Sequence, residues 1–402
     1  MRRQLFKFVL LSAALVACSE PLSPSRITTF EGRLRSDLSG TSGTPGQLFT
    51  FGQNANYALG LGDLKNRSTP TLVGTQTTWV AITEATQHGI GLQSDGSVWG
   101  WGRNDGGQIG VGDRVDKPTP VRVGVDTDWT AIAVGRAHTI AQKANGTLWS
   151  WGENQFGSLG LGDTVDRLTP TQVGTQTDWA KIAAGYVRSF VIKTNGTLWG
   201  FGGNTNGSLG NGVAGGGPYT TPIQIGTATN WSQVCTSNGG NHSAGIRSDG
   251  TLWTWGTGSS GQLGLGTTSD RYVPTPVGNL NTWVEVECGW NHTLALRSDG
   301  TLWAWGLNGN GQLGVGDTKN KLSPVQVGTA TDWYRVAGGS YHTLAVKIDG
   351  ALWAWGDNGS GQLGISGGGR TTPVRVGTDV GWKAVRATAV SSRGGGSSAA
   401  IR

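Results

Sequence analysis

All five histidines of this 402-residue chain, His88, His138, His242, His292 and His342, occupy one position of a recurring unit, and Arg188 and Ser397 stand there in two further units. A ring of imidazoles could hold a metal ion. Its ligands would come from separate units with no second ligand type at short spacing, unlike known zinc arrangements. The simpler expectation is a structural histidine, hydrogen-bonded at the start of a strand. The D-x-x-[DN] pairs Asp113 and Asp116, Asp163 and Asp166, and Asp317 and Asn320 could bring oxygens to a calcium ion, but Asx turns account for the same spacing. GQLGLG has the glycines of a nucleotide loop, yet no helix follows it and no Lys-Ser/Thr pair sits at the P-loop spacing. No Ser-His-Asp set, paired carboxylate or Cys-His set rises above the repeat. The expectation is therefore a non-enzyme with no catalytic residue, metal or cofactor.

What must position these residues is the repeat itself. TLWAWGLNGNGQLGVGD, Thr301 to Asp317, is written nearly the same way seven times, and such a period outranks any local signal. The second aromatic of each unit falls at Phe51, Trp101, Trp151, Phe201, Trp255, Trp305 and Trp355, a step of fifty residues except for one of fifty-four. Two further series, Trp79 to Trp382 and Trp99 to Trp353, leave Trp290 alone outside the pattern among nineteen Trp.

Each unit reads as four short strands. LWAWG is apolar at nearly every position, which suits a strand covered on both faces. The pairs from Asp95-Gly96 to Asp349-Gly350 predict type I′ hairpin turns, so HTLALRSDGTLWAWG is a hairpin, followed by SPVQVG and DWYRVAGG. Gly/Pro punctuation and the lack of a helical period then give an all-β, seven-bladed β-propeller with four antiparallel strands per blade. The C-terminal SSAAIR matches HTLALR and stops where the next strand should follow, while GQLFTFG, Gly46 to Gly52, has no upstream partner. The N-terminal strand should pair with the C-terminal one and close the ring.

The pattern G-x-x-H-T-x-A-L-x-x-D-G-T-L-W-x-W-G-x-N-x-x-G-Q-L-G-x-G-D resembles the repeat of the regulator of chromosome condensation family, over about Gly46 to Arg402. The resemblance implies a seven-bladed propeller. That family holds nuclear exchange factors for the Ran-type small GTPase, a plant ultraviolet-B photoreceptor and many bacterial proteins of unknown partner, so it implies a fold and not one function. Guanine-nucleotide exchange is one activity it implies. Exchange factors of the family use a projecting wedge, whereas the insertions here are two plus two residues around Val213 to Gly240 and about six in the last unit. Light sensing is another, since GWNHT, Gly289 to Thr293, resembles the photoreceptor's Trp motif; that receptor uses several such motifs with Arg before His, and here Asn291 stands alone. Action on a polysaccharide is a weaker option, for which no residues can be named.

The N-terminus carries a separate message. MRRQLFK is a basic segment and FVLLSAALV an apolar run too short to span a bilayer, so residues 1–17 read as an export signal. Leu15-Val16-Ala17-Cys18 looks like a bacterial lipobox, with Cys18 lipidated and anchoring the chain to a membrane of the bacterial envelope. Residues 18–45, rich in Ser, Thr, Pro and Gly, form a flexible linker, and 46–402 the propeller. Loss of Arg2, Arg3 and Lys7 with the signal takes the formal net charge from +6 to +3, which leaves no argument for nucleic acid. Cys235 and Cys288 lie one alignment position apart in adjacent units; small buried side chains are the simple reading, and an inter-blade disulfide stays open.

Function should lie where the units differ, because the ring requires what all units share. Strand order puts the loops before His and the long loops after GQLGLGD on one face, with the Asp-Gly turns on the other. On the first face the units vary, at Arg136, Tyr186, Arg188, Tyr219, Asn241, Trp290, Asn291, Tyr341 and Arg393, with Lys65, Arg67, Arg114, Lys117, Arg167, Arg271, Lys319, Lys321 and Arg370 in the long loops. Exposed Trp, Tyr and Arg are what interface hot spots are made of, although the basic residues also suit loops that already carry Asp63, Asp113, Asp163 and Asp317. The sequence therefore predicts a monomeric, envelope-anchored scaffold that binds a protein or a surface polymer through this face.

Overall fold

Each blade grows from its hairpin turn. In the first blade Gly96 N–H donates to the Gln93 carbonyl (3.0 Å) and Gln93 N–H to the Ser97 carbonyl (3.0 Å), and within the Asp-Gly pair only Gly96 has a positive φ, 77°. This is a three-residue loop, a type I turn closed by a left-handed glycine, and not the expected type I′ turn. A chain of hydrogen bonds explains the choice. Asp95 Oδ1 accepts the Ser97 N–H (2.9 Å) and hydroxyl (2.6 Å), and Ser97 Oγ accepts the Trp99 indole N–H at 3.0 Å. Thr301 and Trp303 repeat the arrangement below Asp299, as do Asn145-Thr147-Trp149, Asn195-Thr197-Trp199 and Asp249-Thr251-Trp253. Glycine is required for a second reason, since a Cβ on Gly96 would lie 2.1 Å from the Thr127 carbonyl oxygen.

The computed structural model describes residues 44–85, 87–388 and 395–402, and over them seven antiparallel sheets of four strands each. In the first blade the order from the centre outward is Trp79–Glu84, His88–Gln93, Val98–Gly102 and Lys117–Arg122. The innermost strands of neighbouring blades lie side by side around a central channel. Every outer strand carries Pro at one position, Pro70, Pro120, Pro170, Pro222, Pro274, Pro324 and Pro373, which removes a donor from the exposed edge.

Closure is as the sequence predicts. Leu48–Gly52 pairs antiparallel with Ser397–Ile401, from Leu48 opposite Ile401 to Gly52 opposite Ser397, and Gln47 and Arg402 exchange backbone bonds of 2.8 and 3.0 Å. Gly46 then exchanges bonds with Trp79 of the first blade, tying the two ends of the chain into the ring.

Blades dock through the G-Q-L-G turn. The Gln262 carbonyl accepts the Trp305 indole N–H (3.0 Å) and the Thr293 hydroxyl (2.7 Å), both from the following blade; Gln312 receives Trp355 and Thr343 likewise. The indole lies against a left-handed glycine, so that a Cβ on Gly264 would sit 2.7 Å from Trp305 Nε1. Trp101, Trp151, Trp255, Trp305 and Trp355 are fully buried in this way. Each removes about 200 Å² from water, worth on the order of 5 kcal/mol as an upper bound. Cys235 and Cys288, expected as separate small side chains with a bond left open, form a disulfide between the fourth and fifth blades, with Cα atoms 5.7 Å apart.

One of the six Asx-Gly hairpins lacks the link from turn to indole. Ala351 stands where the other five such hairpins have Ser or Thr, and the buried Trp353 Nε1 has no partner among the described residues. Ala351→Thr should therefore raise stability by about 1 kcal/mol, measured by chemical denaturation; a neutral or destabilising result would remove the hydrogen-bond chain from the account of these turns.

Candidate functional site

The alternation of strand direction places the segments before His and the long loops on one face, and the Asp-Gly turns on the other. On the first face backbone bonds lace the segments before the histidine position together beside the channel mouth, from the second blade to the fourth and from the fifth to the seventh. Arg136 N–H donates to the Tyr186 carbonyl (3.1 Å), Tyr186 N–H to Ser237 (3.2 Å), Trp290 N–H to Gly339 (3.1 Å) and Ser340 N–H to Thr388 (3.0 Å), each bond reaching the next blade.

Side chains follow the same path. The Arg136 guanidinium lies 5.3 Å from the Tyr186 ring centre, and Trp290 stacks on Tyr341 at 6.5 Å with planes 12° apart. Trp290, expected to be exposed, is half-buried. Its other face lies against Gly239, where a Cβ would be 2.8 Å from the indole, so the glycines inserted in the fourth blade make room for it. Tyr186, Asn241, Asn291 and Tyr341 are likewise half-buried. Tyr219 starts the outer strand of its blade and stands apart at the rim. Cys18 and Arg393 lie outside the described residues.

Arg188 is fully buried at the histidine position. Its Nε donates to Thr236 Oγ1 (3.0 Å) and its terminal nitrogens to Asn241 Oδ1 (3.3 and 3.2 Å). Burial pushes the guanidinium down to about 9. It therefore serves as a bridge beneath the tips rather than as a contact on them.

The histidines themselves are buried between blades. His138, His242 and His342 place Nε2 within 3.0 to 3.1 Å of a hydroxyl of the next blade, on Ser189, Thr293 and Ser398. Those hydroxyls already donate to the Ser158, Gln262 and Gln362 carbonyls. Each can then only accept from the ring, which assigns the proton to Nε2. His88 and His292 have no such partner among the described residues. Burial pushes four of the rings down to about 3 and His292 to about 4.

The long loops are organised by Asx turns and ion pairs. Asp113 Oδ1 accepts from Asn104 and from the Val115 N–H, and Asp116 Oδ1 from the Asn104 N–H. Five of the nine basic residues of these loops pair with acids, Arg67 with Asp63 at 2.8 Å, Arg114 with Asp166 at 3.0 Å, Lys117 with Asp113 at 2.7 Å, Arg167 with Asp163 at 2.7 Å and Lys321 with Asp317 at 2.6 Å, while Lys65, Arg271, Lys319 and Arg370 form no ion pair among the described residues. The aspartates of the rim are thus spent on the loops, a few cations stay without an acid among the described residues, and the stacked aromatics of this face lie at the tips.

Sequence reasoning missed the channel. Glu285 pairs with Arg335 at 3.3 Å and accepts the Val336 N–H at 3.2 Å, while burial pushes Glu84 up to about 8 and Glu287 up to about 7. The signal was present two, four and five residues after the repeat Trp, where other units place Ala.

Known proteins share this architecture. The regulator of chromosome condensation (RCC1) repeat matches residues 45–91, 95–142, 145–192, 249–296, 299–346 and 349–400, and a second description of the same repeat matches 129–158, 179–208, 232–262, 283–312 and 334–362. Among solved structures, Prp20p from Saccharomyces cerevisiae is 19% identical over 96% of this chain and 95% of its own, with a TM-score of 0.80. Human WBSCR16 is 20% identical over 89% and 98%, with a TM-score of 0.77. The yeast RCC1 (Prp20) bound to Kap60 is 18% identical over 100% and 97%, with a TM-score of 0.79. At these identities the likeness speaks to fold.

The buried rings make stability depend on pH. A histidine held neutral to about pH 3 when folded but titrating near 6.5 when unfolded supports the fold above pH 6.5 and loses that contribution as pH falls towards 3. For His342 the loss reaches about 2 kcal/mol by pH 5. His342→Gln should cost about 1 to 2 kcal/mol at pH 7.5 and little or nothing at pH 5, by urea unfolding. Parallel profiles for variant and wild type would contradict the structural role.

Proposed function

Because this chain belongs to the regulator of chromosome condensation (RCC1) repeat family, we propose that it is a binding scaffold, not an enzyme, which engages a protein or surface polymer through the tips around the channel mouth. The observation that carries this reading is the Trp290–Tyr341 stack beside the Arg136–Tyr186 pair. Trp290 belongs to none of the repeat series, so the ring does not need an aromatic there. Half-buried aromatics and arginine, held in place by backbone bonds to the next blade, meet the requirements of a preorganised hot spot. Protein binding is also a use to which the fold is put elsewhere, since Prp20p binds Gsp1p and histones and yeast RCC1 is bound by Kap60.

We further propose that the scaffold is exported and held at the bacterial envelope through a lipid on Cys18. The lipobox-like Leu15-Val16-Ala17-Cys18 supports this, and the Cys235–Cys288 disulfide suits an oxidising compartment. An exported chain would not meet a cytosolic GTPase, which weighs against exchange activity.

Crosslinked pull-down from intact cells tests the reading. Trp290→Ala and Tyr341→Ala should shift the melting temperature by only a few degrees yet weaken partner capture by about 2 kcal/mol, while Asp299→Asn on the opposite face captures normally. Capture that survives at the tips but fails at the turns would mean the wrong face; acceleration of nucleotide release from a small GTPase by the purified protein would mean the wrong function. Wild type should incorporate labelled palmitate and Cys18→Ser should not, and equal labelling would remove the anchor.

A further inference from the structure

The inner strands carry charges that the ring does not require. Two residues after the repeat Trp the chain has Ala81 and Ala131, and four residues after it Ala133, Ala183 and Ala337, so the fold asks only for a small side chain in these rows. Lys181 and Gln233 occupy the first row, and Glu287 and Arg386 the second. All four line one cavity in the channel, of about 160 Å³, roughly ten times what admits a single water. The Cys235–Cys288 disulfide forms part of the same wall.

The charges around this cavity do not cancel. Glu285 and Arg335 pair with each other beside it. Gln233 is used on the backbone of Val286, by bonds of 3.3 and 3.1 Å. Arg386 donates to the Val385 carbonyl at 2.9 Å but has no carboxylate within ion-pair distance among the described residues. The side chains of Lys181 and Glu287 form no hydrogen bond or ion pair among them. Two cations and one carboxylate therefore face a common, confined space; burial pushes Glu287 up against the longer-range pull of Arg386, and pushes Lys181 down, so that one cation stays in excess. Charges held there gain most from a partner that brings the opposite signs with it.

We propose that the central channel binds a small amino-dicarboxylic acid, its two carboxylates meeting Lys181 and Arg386 and its ammonium meeting Glu287. A simple dicarboxylate would leave Glu287 against like charge, and a neutral amino acid would leave one cation unmatched. The site is independent of the tip face, and its ligand is distinct from the scaffold's partner.

Calorimetric titration of the full chain with L-glutamate and L-aspartate tests this, with glutarate and L-alanine as the controls that lack one group each. At least one of the two acidic amino acids should bind saturably at one site per chain and raise the melting temperature, with both controls at least tenfold weaker. Lys181→Ala, Arg386→Ala and Glu287→Ala introduce the residue other blades already hold, so they should fold, and each should weaken binding at least tenfold. Absence of saturable heat at millimolar glutamate and aspartate would overturn the proposal. So would glutarate binding as tightly as glutamate, or undiminished binding in Lys181→Ala and Glu287→Ala.

Discussion

The structure depends on one docking interaction, the seating of each blade's buried aromatic against the last glycine of the x-x-L/I-G turn of the blade before it, reinforced in the fourth, fifth and sixth blades by an indole N–H and a hydroxyl on one backbone carbonyl. A backbone carbonyl such as that of Gln262 receives both Trp305 and Thr293. The glycine two residues further on lets the ring approach. A chain with 70 Gly and only 36% hydrophobic residues can hold a core because its apolar mass is concentrated in tryptophans placed at these joints. The same hydroxyls receive the histidines, so that one small polar cluster fixes the angle between blades, and the closing strand makes the series of joints circular.

Function then has to be sought in what the joints leave free. Tips, rim and channel differ in this respect. At the rim, Arg67, Lys117, Arg167 and Lys321 are spent on the aspartates of their own loops, an exposed and screened kind of pairing that adds little stability and leaves no aspartate of these pairs for a partner. Tips and channel, in contrast, hold residues whose identity the repeat does not specify. Trp290 and Tyr341 are organised without being consumed by the core, and Lys181 and Glu287 are confined without being paired.

Much of this could be read from the sequence, for a physical reason. Blade number, strand count and closure follow from the period and from the mismatch between SSAAIR and GQLFTFG, because a ring leaves no other place for an orphaned strand. The turn type did not follow, since Asp-Gly fits both a two-residue and a three-residue loop, and the choice is made by the Asp95–Ser97–Trp99 hydrogen bonds. The exposure of Trp290 was misread because its cover, Gly239, comes from a different blade. Likewise the meeting of Cys235 with Cys288 and of Glu285 with Arg335 depends on how inner strands stand beside one another, which periodicity along one chain does not report.

The claim on which the account turns is that the tips before the histidine position, and not the turns opposite, meet the partner. Hydroxyl-radical footprinting of the full chain, alone and crosslinked to the partner it captures, reads both faces at once. The account predicts that oxidation of Trp290, Tyr341 and Tyr186 falls in the complex while that of the half-buried Trp149 and Trp303 beside the turns is unchanged. Protection of Trp149 and Trp303 with the tips left fully reactive would contradict it.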